Sequence, residues 1–222
     1  MAFTQFTSPN KVKSAYPKLI LRKEDFIPET LTHVAFSDRL QREIKFGLKT
    51  YKPSEAFADK FLIAPILNEL WQNHLKLNLW TQPFIKVDEV LQGRPDYLIS
   101  PVEKEQYELL SLPIVVLVEA KQENFTEGWG QCLVEMLACQ KLNHTTGTII
   151  YGIVSTGQAW EFGKLEGENF TKDANTYTLA NLQQVVNIVN YIFEQAEKEI
   201  PNVDTSIVLN AEEEIVETQN NF

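Results

Sequence analysis

The chain has 222 residues, of which 44% are hydrophobic and 11% aromatic, so it can build one domain with a sizeable core. Its formal net charge of −10 argues against general, unspecific affinity for nucleic acid. The longest apolar run, around residues 112–118, is too short to span a bilayer, and the first residues do not resemble a signal peptide. We therefore expect a cytoplasmic protein without membrane contact.

Positive charge is concentrated at the start of the chain. Residues 1–60 carry 11 Lys/Arg against 7 Asp/Glu, a net charge of +4, whereas the remainder carries 9 against 23, a net charge of −14. We interpret residues 1–53 as a basic N-terminal extension with a short strand near residues 18–21 and a helix over residues 36–47. Its cations either form a phosphate-contacting face or are simply solvated: Lys11, Lys13, Lys18, Arg22, Lys23, Arg39, Arg42, Lys45 and Lys49.

A helix is predicted to begin the core, which we place at residues 54–200. Ser54 is a good N-cap, and the apolar residues between positions 57 and 71 recur at helical spacing. Pro65 interrupts this pattern and predicts a kink, or a break into two shorter helices. Two acids of this helix, Glu55 and Glu69, share roughly one face but lie about 21 Å apart along it, so only one of them can reach a common site.

Residues 77–87 predict the first strand of a sheet, and two further strands follow. The runs 97–99 and 114–118 are short and rich in β-branched residues, which indicates neighbouring strands with a long connection. The second run is apolar on both faces, as in a buried central strand, yet it ends in Glu119 and Lys121 on one side. Asp96 begins the neighbouring strand. The pattern is either a surface ion pair beside a turn-capping aspartate, or two carboxylates that, with the Ala120 carbonyl, hold one hard cation.

A helix over residues 127–142 follows the loop after Lys121. In it, Gln131 either hydrogen-bonds a phosphate, a base edge or a water, or is a surface or capping amide. Trp129 is either a base-stacking residue or a lid on the core. Cys132 and Cys139 share one face and are interpreted as small core residues, since no second Cys/His pair stands at zinc spacing.

The last part of the core predicts a hairpin and a helix. Residues 148–154 and 158–164 have strand character around a Ser-Thr-Gly turn, with Trp160 and Phe162 on the buried side and Glu161 on the wet side. Residues 179–196 have helical apolar spacing. Residues 201–222 form an acidic segment that we interpret as a flexible tail.

The string Pro95-Asp96 followed by Glu119-Ala120-Lys121 resembles the signature of the PD-(D/E)XK, or restriction-endonuclease-like, nuclease superfamily. The resemblance covers roughly residues 54–170. This part of the chain is similar to the N-terminal nuclease domain of type I restriction enzyme subunits. Gly130-Gln131 resembles the glutamine motif of that family. The spacing from Asp96 to Glu119 is longer than the usual short hairpin.

This resemblance implies an α/β fold with a restriction-endonuclease-like core, a mixed central sheet flanked by helices. It implies Mg²⁺-dependent hydrolysis of DNA, with Mn²⁺ as a substitute. Glu55, Asp96, Glu119 and the Ala120 carbonyl would hold the metal, Lys121 would serve the attacking water, and Gln131 would assist. DNA is the expected partner, through a homodimer or a separate DNA-binding subunit. The alternative is a catalytically silent protein of the same fold that acts as a binding or scaffold subunit.

Overall fold

A computed structural model describes residues 3–103 and 110–200. Within them the chain is an α/β protein with a mixed central sheet and helices on both faces, as the sequence predicts. The helices are α1 (Pro9–Ala15), α2 (Asp38–Lys49), α3 (Glu55–Ala58), α4 (Ala64–Trp71), α5 (Phe125–Leu142) and α6 (Leu182–Glu199). The strands are β1 (Ile20–Lys23), β2 (Leu77–Thr81), β3 (Ile85–Lys86), β4 (Gln92–Gly93), β5 (Tyr97–Pro101), β6 (Val116–Ala120), β7 (Ile150–Ser155), β8 (Ala159–Glu166), β9 (Asn169–Lys172) and β10 (Tyr177–Thr178).

The main sheet has the strand order β1-β9-β8-β7-β6-β5-β2, with β10 beside β8, and β3 pairs with β4 separately. The β1–β9 and β6–β7 pairs are parallel, and the other pairs are antiparallel. The predicted pairing of the two strands around the proposed site is confirmed, because Tyr97 of β5 lies opposite Val118 of β6. The parallel step from β6 to β7 uses α5 as its crossover, which is the usual solution for parallel neighbours.

Side chains of β6 alternate between two hydrophobic cores, one on each face of the sheet. Val116, Val118 and Ala120 belong to the core covered by α2, α4 and α6. Leu117 belongs to the core that also contains side chains of α1 and α5. Glu119 therefore lies on the α5 side of the sheet.

The N-terminal extension is part of these cores. Strand β1 forms an edge of the main sheet beside β9, and the backbone of Phe6 and Ser8 crosses α5 at Gly130. A Cβ atom at Gly130 would stand 2.2 Å from the Phe6 carbonyl oxygen, so only glycine allows this contact. Helix α5 is thus covered by the sheet on one side and by the N-terminal segment on the other. This explains why it buries residues all round.

Helices α1 and α2 lie on opposite faces of the sheet, because Val12 belongs to one core and Leu40 to the other. The basic residues of the N-terminal extension are consequently divided. Those of α1 and β1 lie on the α5 side and at the sheet edge, and those of α2 lie on the α4 side. A single continuous basic face, one of the two interpretations above, is not formed.

Pro65 interrupts the regular α-helical hydrogen bonding of the first core helix, as predicted. Residues Asp59–Ile63 form a π turn between α3 and α4, in which the Ala64 N–H donates to the Asp59 carbonyl. Proline at position 65 has no N–H for the next hydrogen bond of a regular helix, and the wider π turn directly before it accommodates the loss. The segments α3 and α4 are joined directly through this turn, so the helical run from Glu55 to Trp71 is continuous.

The expectation that Glu161 faces water is wrong. Strand β8 buries Trp160, Glu161 and Phe162 alike. Glu161 accepts a hydrogen bond from Trp129 Nε1 at 2.6 Å and pairs with Lys172 at 2.6 Å. Trp129 itself is only 1% exposed, so it is a core residue, and its base-stacking interpretation is wrong. The buried charge of Glu161 is tolerated because Trp129 donates a hydrogen bond to it and Lys172 provides an opposite charge.

The prediction of one strand over residues 77–87 is wrong, because these residues form β2 in the main sheet and β3 in the separate β3–β4 pair. The β7–β8 hairpin and α6 form where the sequence predicts them, and Cys132 and Cys139 are buried free thiols. The acidic tail at 201–222 lies outside the described residues, as does part of the connection between β5 and β6. No helix in the described ranges is both long enough and apolar enough to cross a membrane.

Candidate active site

Strands β5 and β6 bring Asp96, Glu119 and Lys121 together. Asp96 precedes β5, and its Oδ2 atom accepts a hydrogen bond from the Ala120 N–H at 2.8 Å. Lys121 Nζ donates to Glu119 Oε1 at 2.6 Å. The Lys121 N–H donates to the Ser155 carbonyl at the end of β7 at 2.8 Å, which extends the sheet by one bond beyond β6. The main chain therefore fixes all three residues at one end of the two central strands.

Gly128 allows the first turn of α5 to lie directly against Lys121. A Cβ atom at this position would stand 2.9 Å from Lys121 Cγ and 2.6 Å from Val154 Cγ1. Any larger residue would push the helix or the Lys121 side chain away. The close approach confines the Lys121 stem, whose side chain is only 13% exposed, and directs its ammonium to Glu119.

Burial dominates the electrostatics of the two carboxyls. It raises the pKa of Asp96 to about 6, although the Ala120 N–H and Lys121 act against the rise and the charges of Glu55 and Asp59 add to it. Glu119 is 1% exposed, and burial together with the charge of Asp96 raises its pKa as well. The contact with Lys121 favours the charged form of Glu119 but does not outweigh these two effects.

Lys121 shows the complementary behaviour. Burial alone would lower its pKa, but the contact with Glu119 and the charges of Glu55 and Asp96 outweigh burial and raise it. The side chain is therefore a protonated ammonium at neutral pH. It can donate hydrogen bonds and stabilise negative charge, but it has no free lone pair with which to accept a proton.

The pair of carboxylates suits a hard divalent cation. Glu119 Oε2 is buried and has no hydrogen-bond partner among the described residues, and Asp96 offers a second carboxylate on the adjacent strand. Oxygen donors of this kind are the ligands that Mg²⁺ prefers. No group of three or more His, Cys, Asp or Glu side chains in residues 3–103 and 110–200 is placed to hold a metal. A cation here would thus depend on two carboxylates, a main-chain oxygen such as that of Ala120, and water.

Of the two competing acids in the first core helix, the structure brings Glu55 to the site. Glu55 is the exposed first residue of α3, and its charge raises the pKa values of both Asp96 and Glu119. The start of α3 is tied to the loop after β6, since Gln122 Nε2 donates to the Pro53 carbonyl at 2.9 Å. Glu69 is engaged elsewhere and accepts hydrogen bonds from the Ser37 N–H and hydroxyl at the start of α2.

Gln131 lies half-buried one turn above Glu135, which it contacts through Nε2 and Oε1 at 3.4 Å. Glu135 is completely buried, and its Oε2 atom has no hydrogen-bond partner in the described part of the chain. Burial and then the charge of Glu119 raise the pKa of Glu135. The sequence analysis did not identify Glu135 as part of the site. A carboxylate within the apolar stretch 132–139 was the available signal that it belongs to the site.

Asp59 is a second residue that the sequence analysis missed. It lies one turn after Glu55, in the π turn, and accepts a hydrogen bond from the Tyr97 hydroxyl. Its charge contributes to the raised pKa of Asp96. The i, i+4 spacing from Glu55, which places both acids on one face of the helix, was the available signal. The candidate site therefore contains more acid than the signature residues alone.

Comparison of the chain with protein-family models gave no match, and comparison with curated proteins gave no significant match. The assignment of function consequently depends on the residues and geometry described above.

Proposed function

We propose that the protein is a Mg²⁺-dependent hydrolase of DNA phosphodiester bonds, built on a restriction-endonuclease-like core. The observation that supports this most is the arrangement of Asp96, Glu119 and Lys121 at the end of a buried central strand, where one Glu119 oxygen has no partner among residues 3–103 and 110–200. An ordinary surface ion pair would not place both of its members in the protein interior. The antiparallel β5–β6 pair followed by the α5 crossover to β7 agrees with the same proposal.

Asp96, Glu119 and the Ala120 carbonyl would hold the metal, and Glu55, whose charge acts on both carboxyls, would add a water-mediated contact. When bound, Mg²⁺ polarises the phosphate and lowers the pKa of a coordinated water. Lys121 orients the attacking water through its ammonium hydrogens and stabilises the charge that develops on the phosphate oxygens. Because its pKa is raised, Lys121 acts in this proposal as a donor and not as the base.

The reaction is a hydrolysis. The water oxygen forms a bond to phosphorus, and the bond from phosphorus to the 3′ oxygen breaks. By the family resemblance the products carry a 5′-phosphate and a 3′-hydroxyl, with the released proton passing to solvent. Gln131, held beside Glu135, would assist by hydrogen-bonding a phosphate oxygen or the attacking water.

The second candidate is a binding or scaffold protein that has this fold without turnover. Two observations favour it: no third metal-ligating side chain joins Asp96 and Glu119 in the described part of the chain, and the net charge of the whole chain is −10. Contact with DNA would have to use the cations of the N-terminal extension, a second copy of the chain or a separate basic subunit.

Incubation of the purified protein with supercoiled and linear DNA, with Mg²⁺ or with EDTA, separates the two candidates. The proposal predicts cleavage that requires the metal and is lost in Asp96→Asn. Cleavage that persists in this variant would come from a contaminant or another site. If the parent protein shows no metal-dependent cleavage, the scaffold is favoured.

A further inference from the structure

The hairpin formed by residues 82–95, which we call the β3–β4 hairpin, leads directly into Asp96. Its inner side is fixed, since Ile85 and Leu91 are buried, and Gly93 lies so close to Phe3 that a Cβ atom would stand 2.4 Å from the ring. Its outer side carries Phe84, which is 54% exposed. The hairpin is therefore an anchored arm that presents an aromatic ring to solvent beside the candidate site.

Gln82 ties this arm to Asp96. It has a positive φ of 48°, which is uncommon for a residue other than glycine. Its N–H donates to the Asp96 carbonyl at 2.9 Å, and its own carbonyl accepts a hydrogen bond from Arg94 Nη1 at 2.8 Å. One backbone unit thus holds both the main chain of the candidate catalytic aspartate and the guanidinium two residues before it.

Arg94 is exposed, and its guanidinium lies over the Phe84 ring at 5.6 Å from the centroid. The other hairpin cation, Lys86, pairs with Glu89 at 2.8 Å, whereas the hydrogen bond of Arg94 goes to a neutral carbonyl. Most of the guanidinium donors are consequently available to an anion. Phe84 keeps more than half of its surface in solvent even with Arg94 above it.

A guanidinium and an exposed ring held side by side match two parts of one nucleotide. Arginine binds a phosphate through paired N–H donors, and an aromatic side chain stacks on a base. Bases inside a duplex are already stacked on their neighbours, so a ring on the protein surface gains most from a base that is unpaired. An acidic peptide would use the guanidinium but leave the ring without a matching partner.

We propose that Arg94 and Phe84 form a nucleotide subsite next to Asp96, which binds an unpaired DNA strand by one phosphate and one base. This inference rests on the proposed function, because it places the subsite beside the bond to be cut. It also names the substrate class: DNA with a single-stranded segment, such as a flap, a frayed end or a gap, in preference to intact duplex.

Fluorescence anisotropy with a short labelled single strand tests the subsite in EDTA, where metal-dependent cleavage cannot occur. Phe84→Leu keeps an apolar side chain but removes the ring, and Arg94→Gln keeps a donor but removes the charge. We expect each variant to bind the single strand about tenfold more weakly, which is within the range for loss of one stacked base or one charged contact. Arg94→Gln should also reduce the salt slope by about 0.7, the value for one phosphate on a single strand.

Phe46 and Arg39 of α2 provide matched controls, since both are exposed on the opposite face of the sheet. Phe46→Leu and Arg39→Gln should bind the strand as the parent does. Wild-type affinity in both hairpin variants, or an equal loss in the α2 variants, would overturn the subsite. A parent protein that cleaves DNA with Mg²⁺ but prefers intact duplex would also overturn it and leave the proposed function standing. Ring-dependent strand binding without cleavage would support the subsite and contradict the nuclease.

Discussion

Lys121 and Glu119 form an ion pair at 2.6 Å in which the two side chains are only 13% and 2% exposed. Pairs between exposed residues contribute little to stability, and a buried pair carries a desolvation cost that its mutual attraction offsets only in part. The second oxygen of Glu119 has no partner among the described residues, so the cost at this position is not fully compensated by that part of the fold. The proposed function would account for the arrangement, because it requires a cation and a water to be held at the end of β6.

Removal of either carboxylate charge should abolish metal binding, and removal of the Asp96 charge should leave the fold as stable as before or more stable. Asp96→Asn relieves the repulsion between two buried acids, whereas Glu119→Gln also removes the partner of the Lys121 ammonium. Isothermal titration with Mn²⁺ measures binding, and thermal unfolding in EDTA measures stability. Glu69→Gln is the control, since Glu69 caps α2 and should not affect the metal. Undiminished Mn²⁺ affinity in both site variants would remove this pair from consideration as a metal site.

The free energy of unfolding of the metal-free protein should carry a pH signature of Asp96. Its folded pKa of about 6 lies above 3.8, the ordinary pKa of an aspartate in water, so the unfolded chain loses the Asp96 proton first as pH rises. The contribution of Asp96 to stability is therefore complete below pH 3.8 and is lost as pH rises to about 6. The Asp96→Asn variant does not lose this stability as pH rises. Over this pH range, urea unfolding should show its free energy of unfolding rising by about 3 kcal/mol relative to that of the parent, as 1.36 kcal/mol per pKa unit implies. A constant difference would show that Asp96 is not buried as described.

Glu135 is expected to be unfavourable for the fold. A completely buried carboxyl whose Oε2 atom has no partner in the described part of the chain costs more free energy than an amide of the same shape, because only the carboxyl can carry a charge. Glu135→Gln should raise the free energy of unfolding at neutral pH by about 1 kcal/mol or more. Urea unfolding measures the change, and Glu127→Gln in the partly exposed first turn of α5 is the control. A destabilised Glu135→Gln would mean that Glu135 has a structural partner of its own.

The elements of the fold that depend on local pattern could be predicted from the sequence. The β-branched run before Glu119 indicated a buried strand, the Ser-Thr-Gly turn indicated the β7–β8 hairpin, and Pro65 indicated an interruption of the first core helix. Features that depend on which distant segment covers a face of a strand or helix could not be predicted. Strand alternation placed Glu161 in water, because nothing in the sequence shows that Trp129 and Lys172 would meet it.

The candidate site shows the same division. Asp96, Glu119 and Lys121 followed from a strand that ends in charges, since alternation fixes their side. Glu135 and Asp59 required tertiary structure, because the first depends on α5 being covered on both sides and the second on the packing of the first core helix against Tyr97. The role of Gly130 depends on a contact between segments distant in sequence, and no local signal indicates it.

The cations of α1 and β1 should contribute to DNA binding more than those of α2. Helix α1 belongs to the same core as α5, so it lies on the side of the sheet to which Glu119 points, and β1 forms the edge of the sheet, whereas α2 covers the other face. Replacement of Lys11, Lys13, Arg22 and Lys23 by Gln should weaken binding and flatten the dependence of affinity on salt, by about 0.9 in slope for each lost phosphate contact on duplex DNA. Metal affinity should not change. The matched set on α2 is Arg39, Arg42, Lys45 and Lys49, and equal losses in both sets would indicate a diffuse charge effect.

The most direct test of the proposed nuclease function is the rate of DNA cleavage by Lys121→Ala at saturating Mg²⁺, compared with the rates of the parent protein and of Lys86→Ala. Lys86 also pairs with a glutamate, but in an exposed hairpin, so its loss should not alter the rate. We predict that Lys121→Ala still binds Mn²⁺ and DNA. Its cleavage rate should fall by about 10² or more, which is the usual effect of removing a group that acts on the attacking water. Cleavage by Lys121→Ala at the parent rate would contradict the catalytic role of Lys121 and leave it as a structural partner of Glu119.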